Sequence, residues 1–129
     1  PDNWEAVEKQ GKQKFVNATG IYFPDISFRL FDGHTAGQII PFINTPKGKL
    51  VYVSDFIPSA AHVPLAYIAS VDTQPLLALK EKELFLNEAV KQDYVLFFEH
   101  DYQRECCTLQ QTMKGVRVKD VFSLKEWLQ

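Results

Sequence analysis

Histidine, cysteine and surplus charge are all scarce in this sequence, and each shortage excludes something. Its 129 residues hold two cysteines. They are adjacent, Cys106 and Cys107, so they cannot staple distant parts of a chain. That excludes a disulfide framework and fits a reducing compartment such as the cytoplasm. Lysine and arginine number 14 against 16 aspartates and glutamates, a net charge of -2. With no basic surplus to neutralise phosphates, nucleic acid is not an expected partner. No apolar run approaches the ~20 residues of a membrane span, so a membrane is not expected either. No internal repeat, low-complexity tract or linker divides the chain, and residues 1–129 read as one unit. No leader pattern is visible. The chain begins at Pro1 without Met, so the true N-terminus is expected to lie elsewhere and that absence carries little weight.

What is present is a composition able to fold. Hydrophobic residues make up 46% and aromatics 13%, against 23% charged. That is the balance of an ordered domain. Area scaling leaves ~7,000 Å² exposed of ~21,000 Å² in the unfolded chain, enough burial for a core.

The pattern predicts strands with helices between or after them, an α/β or α+β chain. Residues 3–15 read as a weak helix interrupted by Gly11. Ile26, Phe28 and Leu30 alternate with polar neighbours, which predicts a strand with one buried face. Gln38 to Ile43 is a second strand, Asn44 to Gly48 a turn, and Leu50 to Val53 a strand apolar on both sides. Together they form a hairpin. Residues 55–75, with Pro58, Pro64 and Pro75, read as a long loop with a short helical piece. A helix follows over 75–92, with a stripe of Leu79, Leu86 and Val90. Tyr94 to Phe98 is another strand apolar on both faces. Thr108 to Met113 and Val116 to Phe122 are strands joined around Lys114-Gly115. Ser123-Leu124-Lys125-Glu126 is a capping box that starts a short terminal helix. Strands apolar on both sides need cover on both sides.

Three strands end in an imidazole or a carboxylate: His34 after Leu30, Asp55 after Val53, His100 after Phe98. Strand-end loops are where layered α/β proteins place their sites. Neutral imidazole and carboxylate are ligands for zinc, iron or manganese, so this trio reads as a metal site. Each residue also has an ordinary reading as a surface or capping group. The spacings, 21 and 45 residues, bring none of them together locally. Gly33 and Gly37 let the chain turn sharply beside His34 and pack close to a neighbour.

These segments carry a resemblance. Gly33-His34-Thr35-Ala36-Gly37 resembles the G-H-T-P-G segment of the metallo-β-lactamase superfamily. Val51-Tyr52-Val53-Ser54-Asp55 resembles its strand ending in the metal-bridging aspartate. Phe97-Phe98-Glu99-His100-Asp101 resembles its late strand ending in a metal-binding histidine. The motifs follow the family's order over roughly residues 20–120. The stretch from Ser54 through Phe85 also resembles a bacterial branch of hydrolases with this fold. The resemblance implies that His34 binds a first metal, His100 a second, and that Asp55 bridges the two. It implies a catalytic hydroxide on the metals, generated because two cations lower the pKa of water. Each histidine is expected to hold its second ring nitrogen on a carbonyl or carboxylate.

One departure matters. The family's H-x-H-x-D-H signature is absent, and His62 is the only other histidine. The chain therefore resembles the second half of a four-layer αββα sandwich, with a mixed or antiparallel sheet covered by helices. It supplies one histidine per metal and the shared aspartate, short of the three or four ligands a zinc site needs. Ala36 stands where proline is usual and Gln38 where a second histidine is frequent. The expected function is hydrolysis of a small-molecule ester, lactone, thioester or amide. Whether this chain alone is an enzyme stays open, because it lacks the upstream ligands. The cofactor implied is zinc, two ions in the intact fold, with iron or manganese as alternatives and none held by this chain alone as a third case. The expected partners are a small-molecule substrate and either the missing N-terminal half or a second copy. Two alternatives remain: a non-catalytic half-domain that associates with its other half or itself, and a mononuclear two-histidine, one-carboxylate iron protein.

His62 and Tyr67, in the long loop, are candidates to touch substrate or to support a ligand. Phe56 is a candidate pocket residue. Cys106 and Cys107 could offer a thiolate ligand, but on a strand they would face opposite sides with at most one pointing inward, and buried inert thiols are the expectation. Asn17-Ala18-Thr19 matches a glycosylation acceptor and is taken as chance.

Overall fold

Alternating apolar residues and short turns build the sheet. The computed structural model describes residues 4–129. Strands β1 (Gly20–Phe23), β2 (Ile26–Phe31), β3 (Gln38–Thr45), β4 (Gly48–Tyr52), β5 (Val95–Phe97), β6 (Cys106–Thr112) and β7 (Gly115–Phe122) form one sheet in chain order. Five of the six neighbouring pairs are antiparallel, while β4 and β5 are parallel. That parallel step needs a crossover, and helix α2 (Pro75–Lys91) lies within it. Pro75 suits the first turn of α2, where its missing N–H costs nothing.

The predicted hairpin of β3 and β4 is present, with Thr45 facing Gly48 across a tight turn. Strand β1 was not anticipated, because its residues do not alternate and most of them are exposed. The first helix is far shorter than residues 3–15: α1 runs only over Glu5–Lys9, with Gly11 at φ +64 just beyond it. Residue 3 lies outside the described residues. The segment 55–75 is the long loop expected, with 3₁₀ turns at Ser54–Phe56 and Ala60–His62.

Helix α2 covers one face of the sheet. Its buried residues are Ala78, Lys82, Phe85, Leu86 and Ala89; of the expected stripe, Leu86 is buried while Leu79 and Val90 are half-buried. The main core joins Phe85, Leu86 and Ala89 to Phe31, Ile40, Phe42, Val51, Leu96 and Cys107. Phe56 belongs to this core too, 4.2 Å from Phe31 between ring centres, and is not a pocket residue. The opposite face has a smaller cluster of Leu50, Val95 and Cys106 under α3 (Leu124–Leu128), which brings Trp127 against it. The two cysteines face opposite sides of β6, as adjacent strand residues must. Burial pushes both thiols up to about 12. Ser123 and Glu126 complete the predicted capping box of α3.

Candidate metal centre

Strand direction explains why three distant motifs meet. Strands β2 and β4 are separated by two antiparallel steps and so run the same way. The crossover through α2 returns β5 parallel to β4. The C-terminal ends of β2, β4 and β5 therefore open on one edge of the sheet. His34, Asp55 and His100 each follow one of those ends.

The three side chains come together there. Nε2 of His100 lies 2.8 Å from Oδ1 of Asp55, and Nε2 of His34 lies 3.7 Å from Oδ2 of the same carboxylate. Each oxygen of Asp55 thus faces a different imidazole. Asp55 sits on the 3₁₀ turn after β4, entered through Ser54 at φ +43. Asp55 and His100 are open to solvent, whereas His34 is 17% exposed.

His34 is held by a loop clamped onto the start of α2. Asp32 Oδ1 accepts from the Gly37 N–H at 2.7 Å, and Gly37 takes φ +72 to close the turn. The N–H groups of Asp32 and Gly33 both donate to Glu81. Gln74 N–H donates to the Gly33 carbonyl, and Thr73 donates through N–H and hydroxyl to that of His34. Gly33 lies against the Ala78 backbone, where a Cβ would sit 2.3 Å from the Ala78 Cα.

The imidazole itself is oriented by Asp72. His34 Nδ1–H donates to Asp72 Oδ1 at 2.9 Å, and the Asp72 side chain is 5% exposed. This bond assigns the tautomer and turns the Nε2 lone pair toward Asp55. The expectation of a carboxylate behind His34 is therefore met, but not for His100, whose Nδ1 has no partner among the described residues. Asp32 and Asp101 are not these partners. Asp101 accepts from the N–H groups of Ala60, Gln103 and Arg104 and shapes the loop after His100.

Asp72 and Glu99 escaped the sequence reading. Asp72 is 38 residues from His34 and in no motif. Glu99 lies beside His100 and, with Asp55 and His100, has ligand atoms within 4.8 Å of one another. Glu99 is already engaged: Ser54 Oγ donates to it at 2.8 Å, and hydrogen bonds from Ser54 and Tyr52 hold its carboxyl below the ordinary value. Burial, then Glu99, pushes the Tyr52 hydroxyl up to about 12.

Among the described residues no hydrogen bond joins the side chains of His62 or Tyr67 to this cluster. His62 Nδ1 pairs with the Ser59 hydroxyl at 2.8 Å. The Tyr67 ring is exposed. Gln38 shares a face with Phe31, and its buried Oε1 has no partner among the described residues.

No protein-family model matches the sequence, and no curated protein matches it. Solved structures do. A probable metal-dependent hydrolase from Staphylococcus aureus superposes with a TM-score of 0.77 at 22% identity, over 88% of this chain and 40% of that one. AidC, a dizinc quorum-quenching lactonase, gives 0.74 at 24% identity over the same shares. AbOPH, a hydrolase of the β-lactamase superfamily, gives 0.78 at 13% identity, over 93% of this chain and 42% of that one. The mixed α+β architecture is thus shared with these structures. The fold is the metallo-β-lactamase fold, in part: the chain spans about two fifths of the length of the structures it matches.

The donors present fit divalent cations as far as they go. Neutral imidazole nitrogens and a carboxylate are the ligand types zinc takes, and an imidazole backed by a buried carboxylate is how such ligands are held. Shared between two cations, the trio would offer each one imidazole and one carboxylate oxygen.

Proposed function

We propose that the chain is the C-terminal, metal-binding part of a hydrolase acting on a small-molecule ester, lactone, thioester or amide. The observation that carries this is the placement of the two imidazoles on different oxygens of Asp55. His34 would hold one cation, His100 the other, and Asp55 both. Such cations, when bound, lower the pKa of water and polarise a substrate carbonyl. The chain's own residues fix the geometry: Asp72 orients His34, and Glu99 ties the Ser54 turn beside Asp55. Lactones come first among substrates to try, since AidC is a lactonase.

The completing ligands would come from an upstream segment carrying H-x-H-x-D-H. Two observations support such a partner. The sheet face away from α2 presents Ile26, Phe28, Leu30, Ile39, Pro41 and Ile43, of which Ile39 is openly exposed. The chain also exposes 8488 Å², against about 7,000 Å² for a compact chain of its mass. A second copy covering the same face is the competing partner.

A single-cation site of His34, Asp55 and His100 fits less well. Two ligands about 2.1 Å from one cation lie at most about 4.2 Å apart. The group within 4.8 Å among the described residues omits His34.

The test is metal per chain by elemental analysis after offering zinc, iron and manganese. The 129-residue chain alone should retain little. With the upstream segment restored, about two ions per chain should be held and a lactone hydrolysed, both lost in His34→Ala and His100→Ala. One tightly held ion in the 129-residue chain, lost in either variant, would overturn the two-cation reading.

A further inference from the structure

Glu81, half-buried on α2, accepts two backbone N–H groups at once. Asp32 N–H donates to its Oε1 and Gly33 N–H to its Oε2, each at 3.0 Å. Strand β2 ends at Phe31, one residue earlier. In a continuing strand, successive N–H groups point to opposite sides. Here they converge on one carboxylate, as the N–H groups of a turn do when they hold an anion. The carboxylate therefore marks the point where the chain leaves the sheet and enters the loop that carries His34. Gly33 is buried, so its N–H has no water to turn to once Glu81 is removed.

The other ties between this loop backbone and the start of α2 are neutral. Gln74 donates through its side chain to the Asp32 carbonyl and through its N–H to that of Gly33, and Thr73 donates to that of His34. Hydrogen bonds to a charged acceptor are about twice as strong as neutral ones. Asp72 holds the imidazole at Nδ1. One hydrogen bond fixes one point of a ring and leaves the ring free to swing about it. The second fixed point is the His34 backbone, which the Glu81 bonds set. We propose that Glu81 is a positioning residue for His34, fixing the backbone turn that keeps the imidazole facing Asp55, with Nε2 3.7 Å from Oδ2. The role rests on the reading of His34 as a cation ligand, but it is tested without a cation.

The experiment is NMR of the labelled 129-residue chain, read in two ways: amide hydrogen exchange, and the order parameter of each histidine ring from carbon relaxation. Glu81→Gln keeps size and helix propensity but replaces one acceptor oxygen by a donor facing an N–H. Glu81→Asp keeps the charge but is one methylene too short to serve both N–H groups, and it decides the question if the Gln variant does not fold. Glu83→Gln, at an exposed position of the same helix, is the control and should change nothing. In each folded Glu81 variant, exchange of the Gly33 N–H should rise about 10- to 100-fold, the loss of one bond to a charged acceptor. Interior amides of β3 and β4 should stay within about twofold. The His34 ring should pass from an order parameter of about 0.85 to about 0.6 or less, with the rings of His62 and His100 unchanged. A folded variant whose His34 ring stays rigid overturns the proposal, even if Gly33 exchanges faster, because Glu81 would then satisfy backbone donors and no more. So does acceleration shared equally by β3 and β4, which would mark Glu81 as a general prop of the fold. If the His34 ring loosens while metal retention proves independent of His34, the positioning role stands and the cation reading fails.

Discussion

Replacing Gly33 by alanine tests how the His34 loop is built. A Cβ at this position would lie 2.3 Å from the Ala78 Cα, 2.5 Å from its N and 2.6 Å from its Cβ. Ordinary carbon contacts begin near 3.5 Å, so the loop or the start of α2 must retreat by about 1 Å. The obstacle is helix backbone, which cannot rotate out of the way as a side chain could. The retreat also stretches the bond from Gly33 N–H to Glu81 and the one from Gln74 N–H to the Gly33 carbonyl. Overpacking of this kind costs about 1–3 kcal/mol, and a backbone obstacle belongs at the upper end. With a urea slope of about 1–3 kcal/mol per molar, the midpoint should fall by at least about 1 M. Gly37→Ala is the comparison. It has φ +72 with nothing within 4 Å of the new methyl, so it carries backbone strain only, about 1–2 kcal/mol. Urea melts of both variants followed by circular dichroism measure the difference. A Gly33→Ala midpoint no lower than that of Gly37→Ala would refute the claim that close packing, and not turn geometry, fixes glycine at 33.

Arg29 donates to both carboxylate oxygens of Glu88 and stacks on Phe42. Arg29 chiefly, helped by the Tyr94 hydroxyl, lowers Glu88 from the ordinary 4.5 to about 2. A carboxyl lowered on folding adds stability above its unfolded value, lost as pH falls from about 4.5 toward 2. Arg29→Met should therefore flatten the acid limb of a stability–pH curve. At neutral pH it should cost about 1 kcal/mol, because both partners are a third exposed and screened. An unchanged acid limb would remove Glu88 from the account. Cys106 and Cys107, with thiols raised to about 12 by burial, should resist a disulfide reagent near pH 8 until urea unfolds the chain. Prompt labelling of the native chain would place them outside the core. Ser123→Ala removes the cap of α3 and should cost about 1 kcal/mol. Trp127 emission, read along a urea titration, should shift before the main transition.

What local chemistry specifies was readable. Ser123 and Glu126 lie three residues apart, and their cap formed as the spacing predicts. The β3–β4 hairpin is written in Asn44 to Gly48. The strand-end placement of His34, Asp55 and His100 followed from apolar runs alone, although only the shared direction of β2, β4 and β5 brings them together. What depends on distant packing was not readable. Leucine spacing caught the α2 stripe only in part, because Leu86 is buried but Leu79 and Val90 are half-buried, while the small Ala78 and Ala89 are buried. Lys82 looks like a solvated helix lysine until Pro64 and Tyr67 close over it. Asp72 orients the key imidazole from a segment with no period and no motif.

The donor geometry also decides how the two cation readings are to be told apart. Asp55, Glu99 and His100 are the tightest acidic–imidazole group among the described residues. A site built on them would not use His34 at all. Yet Glu99 already accepts from Ser54 Oγ, and occupying it with a cation would take a bond from the turn that presents Asp55. His34, in contrast, has its Nδ1 committed to a buried carboxylate and its Nε2 free to bind. A pre-oriented imidazole of that kind has little use as a surface residue. With the upstream segment restored, dependence of metal retention on His34 therefore separates the readings: loss of both ions in His34→Ala favours the bridged pair, and loss in Glu99→Gln with His34→Ala silent favours the single acidic site.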